Sequence, residues 1–390
     1  MSTDVLIVGG AAVGSAAAYF LASAPDFQGR VLVLEQDMRY EKSATALSAA
    51  SIRHQFSTPG NIRLSQAGTH FLKTMAPELA VDGQMPDFGF KERGYLFLST
   101  QAGLGVLESN HRIQRSENVD VALLDRAALQ ERFAWLQVDD LAAGSLGLSG
   151  EGWLDAYGLM QGLRRKAVSL GVQYRQARVL GLQRQGRRIV SAHLSDGSEV
   201  CFDTVINAAG TGAAALARSA GIELPVQARK RSIFYFTSSA RLPACPMVID
   251  PTGAYFRPEG EGFICGIAPA PEQDPECHDF DVQHHLFEEV LWPILAARVP
   301  GFEALRLQRS WAGHYDMNLL DHNLILGAHP EIDNLLFANG LSGHGLQQSP
   351  AVGRALSELV ICGRFRTLDL QAFGWSRVLE NRPLREINVV

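Results

Sequence analysis

The 390-residue sequence predicts an α/β protein of two units: a parallel-sheet domain assembled from separated stretches, and a second domain built from β-rich insertions between them. Three observations carry that prediction. The apolar run Val5-Leu6-Ile7-Val8 ends in glycine, precedes an alanine-rich helical stretch at 13–22, and is matched by the run Val31-Leu32-Val33-Leu34, so a β–α–β unit fits within 35 residues. Two further apolar runs, 200–206 and 335–338, also end in glycine-containing turns, as strands of the same parallel sheet would. Between them lies a crowd of short β-prone runs with no glycine-rich turn and helix behind each.

The remaining elements follow in order. Residues 61–79 have helical spacing in Ile62, Leu64, Phe71 and Leu72, and Tyr95-Leu96-Phe97-Leu98 reads as a strand. Helices are expected at about 102–116, 125–133 and 156–171, the last stopped by Gly171. The β-prone runs are 233–236, 254–257, 262–266 and 307–315, with one long helix over 281–299 among them. The strand at 335–338 leads through a glycine-rich turn into a helix at about 349–362. There is no repeat and no low-complexity linker.

Bulk composition narrows the function. Apolar residues make up 46% of the chain and charged residues 19%, an ordinary globular balance. A net charge of −6 leaves no electrostatic footprint for nucleic acid or an anionic membrane surface. The five cysteines (Cys201, Cys245, Cys265, Cys277, Cys362) show no metal-binding spacing, and their odd count argues against a disulfide framework, so a reducing compartment and no bound metal are expected. The apolar stretch 5–24 follows Asp4, has no basic flank and is interrupted by Gly9, Gly10 and Gly14; it reads as strand, turn and helix rather than a signal peptide or membrane span. A cytoplasmic location is the resulting expectation.

The first chemical signal is Gly9-Gly10-Ala11-Ala12-Val13-Gly14, between a strand and a helix. In the G-x-G-x-x-G fingerprint the first glycine allows the tight turn and the last lets helix pack on strand, while the helix N-terminus offers free N–H groups to a pyrophosphate. Ala11 stands in place of the second glycine, a modest obstruction. Glu35 closes the second strand, where a carboxylate accepts hydrogen bonds from ribose hydroxyls and repels a 2′-phosphate. These features predict a dinucleotide grip without distinguishing NAD from FAD.

Two later segments narrow the choice. Val205-Ile206-Asn207-Ala208-Ala209-Gly210 and Asp321-His322-Asn323-Leu324-Ile325-Leu326-Gly327, followed by Asn339-Gly340-Leu341-Ser342-Gly343-His344-Gly345-Leu346-Gln347, resemble the D-amino-acid oxidase-like FAD superfamily, which includes glycine oxidase, sarcosine oxidase and dimethylglycine dehydrogenase. The resemblance runs through nearly the whole chain. It implies a Rossmann-like, glutathione-reductase-type FAD-binding domain over 1–85, 150–222 and 318–363. It further implies an α+β substrate domain with a mostly antiparallel sheet over 86–149 and 223–317, and a tail at 364–390. The cofactor set it implies is Gly9, Ala11, Ala12, Val13, Gly14, Glu35 and Gln36 on the first turn and strand end. To these it adds Ala44, Thr45, Leu47, Ser48, Ala49 and Ala50 along the pyrophosphate and flavin, and Val179 beside the adenine. Ala208, Ala209, Gly210, Gly313, Gly340, Ser342, Gly343, His344, Gly345, Leu346 and Gln347 complete it. In the family the helix after Gly345 points its positive end at the flavin pyrimidine. His344, between two glycines of that loop, reads as a packing or hydrogen-bonding residue near the flavin rather than a catalyst.

The same resemblance supplies candidates for the substrate site. Ser51-Ile52-Arg53-His54-Gln55-Phe56 is similar to the sarcosine-oxidase stretch whose arginine binds a substrate carboxylate, a task suited to a planar guanidinium. A structural ion pair beside the flavin is the competing reading of Arg53. Tyr255 and Tyr315 match pocket tyrosines, though either equally suits the core of a β-rich domain, and Arg257 would share the face of Tyr255 as a weaker anion contact. Gly313 stands where some members carry a cysteine bonded to flavin, so the FAD is expected to be non-covalent. Gln347 stands in place of a lysine, so one substrate cation is missing and a longer, secondary or less acidic amine than sarcosine is expected. Arg53, Tyr255, Tyr315 and Gln347 are therefore the candidate catalytic residues. On the strand 262–266 a sarcosine-oxidase lysine that assists oxygen chemistry is replaced by Ile264, which predicts slow use of oxygen and an acceptor such as a quinone or redox protein. Amine or amino-acid oxidation by hydride transfer to flavin is the expected activity. The alternative is an FAD-bearing assembly or scaffold factor with little turnover, because Gly363-Arg364-Phe365-Arg366-Thr367-Leu368-Asp369-Leu370 looks closest to a branch containing a mitochondrial respiratory-complex assembly factor.

Overall fold

In a computed structural model, which describes residues 3–387, the Thr3–Val8 strand lies between two parallel neighbours, Glu199–Asn207 and Val31–Glu35. Val5, Leu6 and Ile7 are all buried, as a strand covered on both faces requires. Gln173–Gln176 extends the sheet on one side, and Leu335–Asn339 (parallel) and Ile325–Ala328 (antiparallel) extend it on the other. Val179–Gln185 and Arg188–Leu194 branch from Glu199–Asn207 as an antiparallel meander that the sequence pattern did not announce. One face is covered by the helices Ala12–Ser23, Pro59–Thr74, Ala156–Ser169 and Gly345–Cys362; the other holds Ala213–Ser219 and the meander.

The second sheet also has eight strands, in the order Arg306–Asn318, Val226–Thr237, Gly262–Gly266, Tyr255–Glu259, Met247–Ile249, Tyr95–Ser99, Ala143–Gly147 and Val121–Asp125. Every pair is antiparallel except Met247–Ile249 with Tyr95–Ser99. A phenylalanine-rich core of Phe234, Phe236, Phe256, Phe263, Phe287 and Phe302 fills one side. Its other side carries Tyr95, Phe97 and Tyr255, packed with Leu107 of the Leu104–Ser116 helix and with Ala49. A two-stranded ribbon, Ser51–Ile52 with Gly152–Trp153, holds the segment between them.

Three helix expectations need correction. The helix expected over 281–299 begins at His284 and is a π-helix over Leu286–Leu291 before the α-helix Trp292–Arg298. Pro293 has no N–H to give to the preceding turn, and a widened turn ahead of it accommodates the loss. The helix expected over 61–79 runs Pro59–Thr74, with Pro59 in its first turn. The last long helix starts at Gly345, four residues before the expected 349. Pro350 cannot donate to the Leu346 carbonyl, but the Ser349 hydroxyl does so at 2.8 Å, which keeps the turn satisfied.

Close helix packing aims that helix at the site. A Cβ on Gly353 would come within 2.5 Å of Ala16, so the two helices cross nearly in backbone contact. The tail is also built in. Arg377 and Asp321 form a buried ion pair at 2.8 Å, and Glu386 returns to accept bonds from the Ser57 and Thr58 amides (2.8 and 3.0 Å), just ahead of the Pro59–Thr74 helix.

Candidate functional site

Two regions meet where the strands of the first sheet end. The first is a cleft lined by Gly9, Ala11, Ala12, Val13, Gly14, Glu35, Gln36, Ala44, Thr45, Ser48, Ala208, Ala209, Gly210, Gly343, Gly345 and Leu346. Gly9 has φ +99°, and a Cβ on Gly14 would overlap the Gly9 carbonyl oxygen, so backbone meets backbone here. Glu35 accepts from the Gly10 and Asp37 amides at 2.8 and 2.9 Å, which ties the second strand to the first turn. Burial raises its carboxyl pKa, partly offset by those same bonds.

Neither the Ala12–Ser23 helix nor the Gly345–Cys362 helix has a side-chain cap, and both N-termini line this cleft. Thr45 Oγ1 receives the Ala12 N–H at 3.4 Å; other first-turn donors remain for a ligand. The Tyr40 hydroxyl, buried in the cleft wall without a hydrogen-bond partner among the described residues, is a further polar group suited to a bound molecule. Asp316 was not foreseen. Its buried carboxylate accepts from the Gly340 and Leu341 amides at 2.9 and 3.2 Å, and burial pushes its pKa up to about 6. It fixes the Gly340–Gly345 loop to the second sheet.

The second region surrounds Arg53, which is only 3% exposed. Its Nη1 donates to the Gln55 carbonyl at 2.5 Å, its Nη2 lies 3.5 Å from His344 Nε2, and its guanidinium stacks 3.9 Å from the centroid of the Phe56 ring. Burial lowers its pKa from the usual arginine value, opposed by Tyr95, Glu386, Glu151 and Tyr315 around it. The pKa values of Tyr255 and Tyr315 are raised, chiefly by burial, and that of Tyr95 is pushed up to about 12 by the same cause, so all three phenols stay protonated at neutral pH. Burial, with Arg53 next, drives His344 down to about 3, so its imidazole is neutral.

Of the sequence candidates, Arg53, Tyr255 and Tyr315 come together here. Tyr315 lies on the loop: a Cβ on Gly343 would sit 2.7 Å from its ring. Gln347 serves the same place differently, its Oε1 accepting the Arg53 amide at 2.7 Å. His54 turns away, to Thr69 Oγ1 at 2.8 Å. The Arg257 guanidinium is held by the Ala49 carbonyl (2.7 and 3.1 Å) and by Glu259, which weakens its reading as a second anion contact.

Several cofactor candidates stand outside the first cleft. Ser342 spends its hydroxyl on the Gly340 carbonyl and the Asn318 amide, and a Cβ on Gly340 would meet Asn318 at 2.8 Å. Gly313 packs on Leu47, whose Cβ would stand 3.0 Å from any side chain added there, and Val179 lines a neighbouring cleft with Gly9, Glu35 and Gln36. Sequence reading missed Tyr95, Phe97, Glu151 and Glu386. Glu151 is fully buried, accepts from the His54 and Gln55 amides and the Gln55 side chain, and burial pushes its pKa up to about 7. Nothing local marks these residues; the fold alone gathers them. Among the described residues no group of three or more His, Cys, Asp or Glu could hold a metal ion, and no helix is long and apolar enough to cross a membrane.

Residues 4–359 match a family model described as FAD dependent oxidoreductase (DAO). The chain is 39% identical to FAD-dependent oxidoreductase domain-containing protein 1 of Xenopus laevis over 99% of its own length and 85% of that protein. Its fold superposes on L-proline dehydrogenase from P. horikoshii with a TM-score of 0.86 at 24% identity, covering 97% and 98% of the two chains. For glycine oxidase from Geobacillus kaustophilus the TM-score is 0.81 at 24% identity, covering 95% and 97%.

Proposed function

Since this chain belongs to the DAO family of FAD-dependent oxidoreductases, we propose that it oxidises the C–N bond of a small amine or amino acid and passes the electrons to an acceptor other than oxygen. FAD is the cofactor, and the uncapped helix N-termini and the Glu35 carboxylate beside the first cleft fit its pyrophosphate and ribose. When bound, FAD supplies the two-electron sink that accepts hydride from the substrate carbon.

The protein's own part is to bind and orient. One observation supports this most: a buried guanidinium at one end of a box of phenols, next to the loop that approaches the cofactor cleft. Arg53 brings a buried positive charge toward a carboxylate while its guanidinium is held by the Gln55 carbonyl and faces His344; Gln347 fixes its own amide and Glu151 fixes that of His54. Tyr95, Tyr255 and Tyr315 wall the space, exclude water and keep their protons at neutral pH. With His344 neutral, the positive charge at the box comes from Arg53, with Arg231 5.2 Å from the Tyr315 ring; it favours substrate with its carboxylate ionised and its amine neutral. Positioning of this kind accounts for a large share of the barrier reduction in such a step.

The dehydrogenase half of the proposal rests on Ile264, a buried apolar side chain at the position where sarcosine oxidase carries a lysine that assists oxygen chemistry. Both a dehydrogenase and an oxidase share the fold. The test is an anaerobic panel of amino acids and N-methylated amines, read as bleaching of the yellow flavin, followed by admission of air. Bleaching with slow recovery is expected. Rapid recovery would make the protein an oxidase, and a flavin that no amine bleaches would favour the scaffold role.

A further inference from the structure

A cleft separate from both regions described above lies on the far side of the segment 46–50, with Ser48 lining it as well as the cofactor cleft. Its walls carry Lys91, Arg257, Arg309, Trp153, Trp311 and Ile264. Trp311 is fastened to the shared segment, its Nε1–H donating to the Leu47 carbonyl at 3.0 Å. The two indoles each have an arginine against them: Arg257 lies 5.1 Å from the Trp153 ring and Arg309 5.4 Å from that of Trp311.

The electrostatics of the cleft differ from those of the whole chain. Three cations, Lys91, Arg257 and Arg309, face two carboxylates: Glu259, paired with Arg257, and Asp155, which accepts the Gly158 amide at 2.9 Å as the cap of the Ala156–Ser169 helix. Lys91 and Arg309 make no ion pair among the described residues. A protein of net charge −6 thus presents an aromatic-walled cleft with an excess of positive charge, sharing Ser48 with the first cleft. The Trp153 side chain is buried behind this wall, and its Nε1–H has no hydrogen-bond partner among the described residues.

We propose that this cleft is the docking site for the electron acceptor, a small planar aromatic oxidant bearing a negative group, of the quinone class. The proposal rests on the dehydrogenase reading above. The ring lies against the partly exposed Trp311 indole, the acid group meets Lys91 and Arg309, and the electrons cross the 46–50 segment. The balance is complete: reduced flavin gives up two electrons and two protons, and the two quinone carbonyl oxygens take them to become a hydroquinone.

The probe is 1,4-naphthoquinone-2-sulfonate, with uncharged 1,4-naphthoquinone as its control. Binding to the oxidised holoprotein is read by quenching of tryptophan fluorescence. Saturable quenching by the sulfonate is expected, weakened by added salt, with the half-saturating concentration raised at least tenfold in the Lys91→Glu/Arg309→Glu double variant and little changed for the neutral quinone. Trp153→Phe should reduce the quench. If no such cleft operates, the overall negative charge repels the sulfonate and added salt strengthens its effect, a result of opposite sign that the wild-type protein alone can give. Absence of saturation, or equal affinity in the double variant, also overturns the proposal.

The second readout is anaerobic reoxidation of photochemically reduced flavin, which needs no amine substrate. Saturable reoxidation by the sulfonate, slowed at least tenfold at low probe concentration in the double variant, supports the acceptor role; binding without any change in reoxidation refutes it. If the probe binds and reoxidises the flavin but no amine ever reduces it, the amine reading fails while the docking site stands.

Discussion

The cofactor cleft and the Arg53 box lie side by side, yet they are made of different material. The cleft is backbone: amides of two uncapped helices, a positive-φ glycine and carbonyls packed so closely that a single methyl group would collide. The box is side chain: one guanidinium, three phenols, a neutral imidazole and two buried carboxylates. Backbone sites tolerate almost no substitution at their glycines but are indifferent to most other side chains. Side-chain sites invert that sensitivity, and their cost is buried charge that must remain balanced.

The sharpest way to break this contrast is Gly14→Ala. The added Cβ would overlap the Gly9 carbonyl oxygen, and neither atom belongs to a flexible side chain. The turn must open, taking with it the amides that face the cofactor. Near-complete loss of bound FAD is expected, read as the ratio of flavin to protein absorbance. Retention of stoichiometric flavin would show that the cleft does not depend on this contact.

Next in size is Arg53→Lys. The charge survives, but the fork that donates to Gln55 and stacks on Phe56 does not. We expect kcat/KM for a carboxylate-bearing amine to fall by roughly 100-fold, about 3 kcal/mol, as for removal of a charged hydrogen-bonding partner. Flavin content should be unchanged, because the loss lies in the box and not in the cleft. Equal losses for an amine with no carboxylate would assign Arg53 a structural role instead.

These two sites also differ in how far they could be read from sequence. The cleft was legible because its signals are short-range: Gly9 to Gly14, with Glu35 one strand later, sit within one supersecondary unit. The box was half legible. Arg53, Tyr255 and Tyr315 entered by resemblance to a family, whereas Tyr95, Glu151 and Glu386 lie in segments with no motif and reach Arg53 only through the sheet order and the returning tail. Helix ends went wrong where a side chain took over a backbone duty. The Ser349 hydroxyl, which lets a helix begin ahead of Pro350, has no signature in composition or periodicity. The meander at 179–194 was missed because Val179–Gln185 is largely exposed and polar after Leu182, while Arg188–Leu194 buries Ile189, Ser191, Ala192 and Leu194 without strict alternation.

The two carboxylates near Arg53 sharpen the comparison within the box, with a smaller expected effect. Burial holds Glu151 up at about 7, against an ordinary value of 4.5. In the window between those values the folded state keeps a proton that the unfolded chain has released. Its contribution to stability is therefore greatest below the ordinary value and lost as pH rises through about 7. Glu386 runs the other way: burial opposes ionisation, but bonds from Ser57 and the nearby Arg53 outweigh it and lower its pKa. Its contribution is present above the ordinary value and lost as pH falls. Denaturant unfolding across pH should show Glu151→Gln flattening the neutral limb and Glu386→Gln flattening the acidic one. An unchanged profile in either variant would mean that its carboxylate is not buried as described.

The smallest effect tests whether the box is a wall or a set of hydrogen bonds. Tyr255→Phe keeps the ring, which lies across Gly266 so closely that a Cβ there would meet the phenol oxygen at 2.5 Å. Only the hydroxyl is lost. If packing carries most of the tyrosine's role, the penalty is that of one neutral hydrogen bond, about 1 kcal/mol, and kcat/KM falls roughly fivefold. Tyr255→Ala removes the wall and should cost far more, because a core aromatic truncated to alanine loses about 3–5 kcal/mol and admits water. The ratio between the two variants is the measurement that matters. A large ratio means that the box works by shape, as its aromatic composition implies; a ratio near one would transfer the role to the hydroxyl and make Tyr255 a polar contact to substrate.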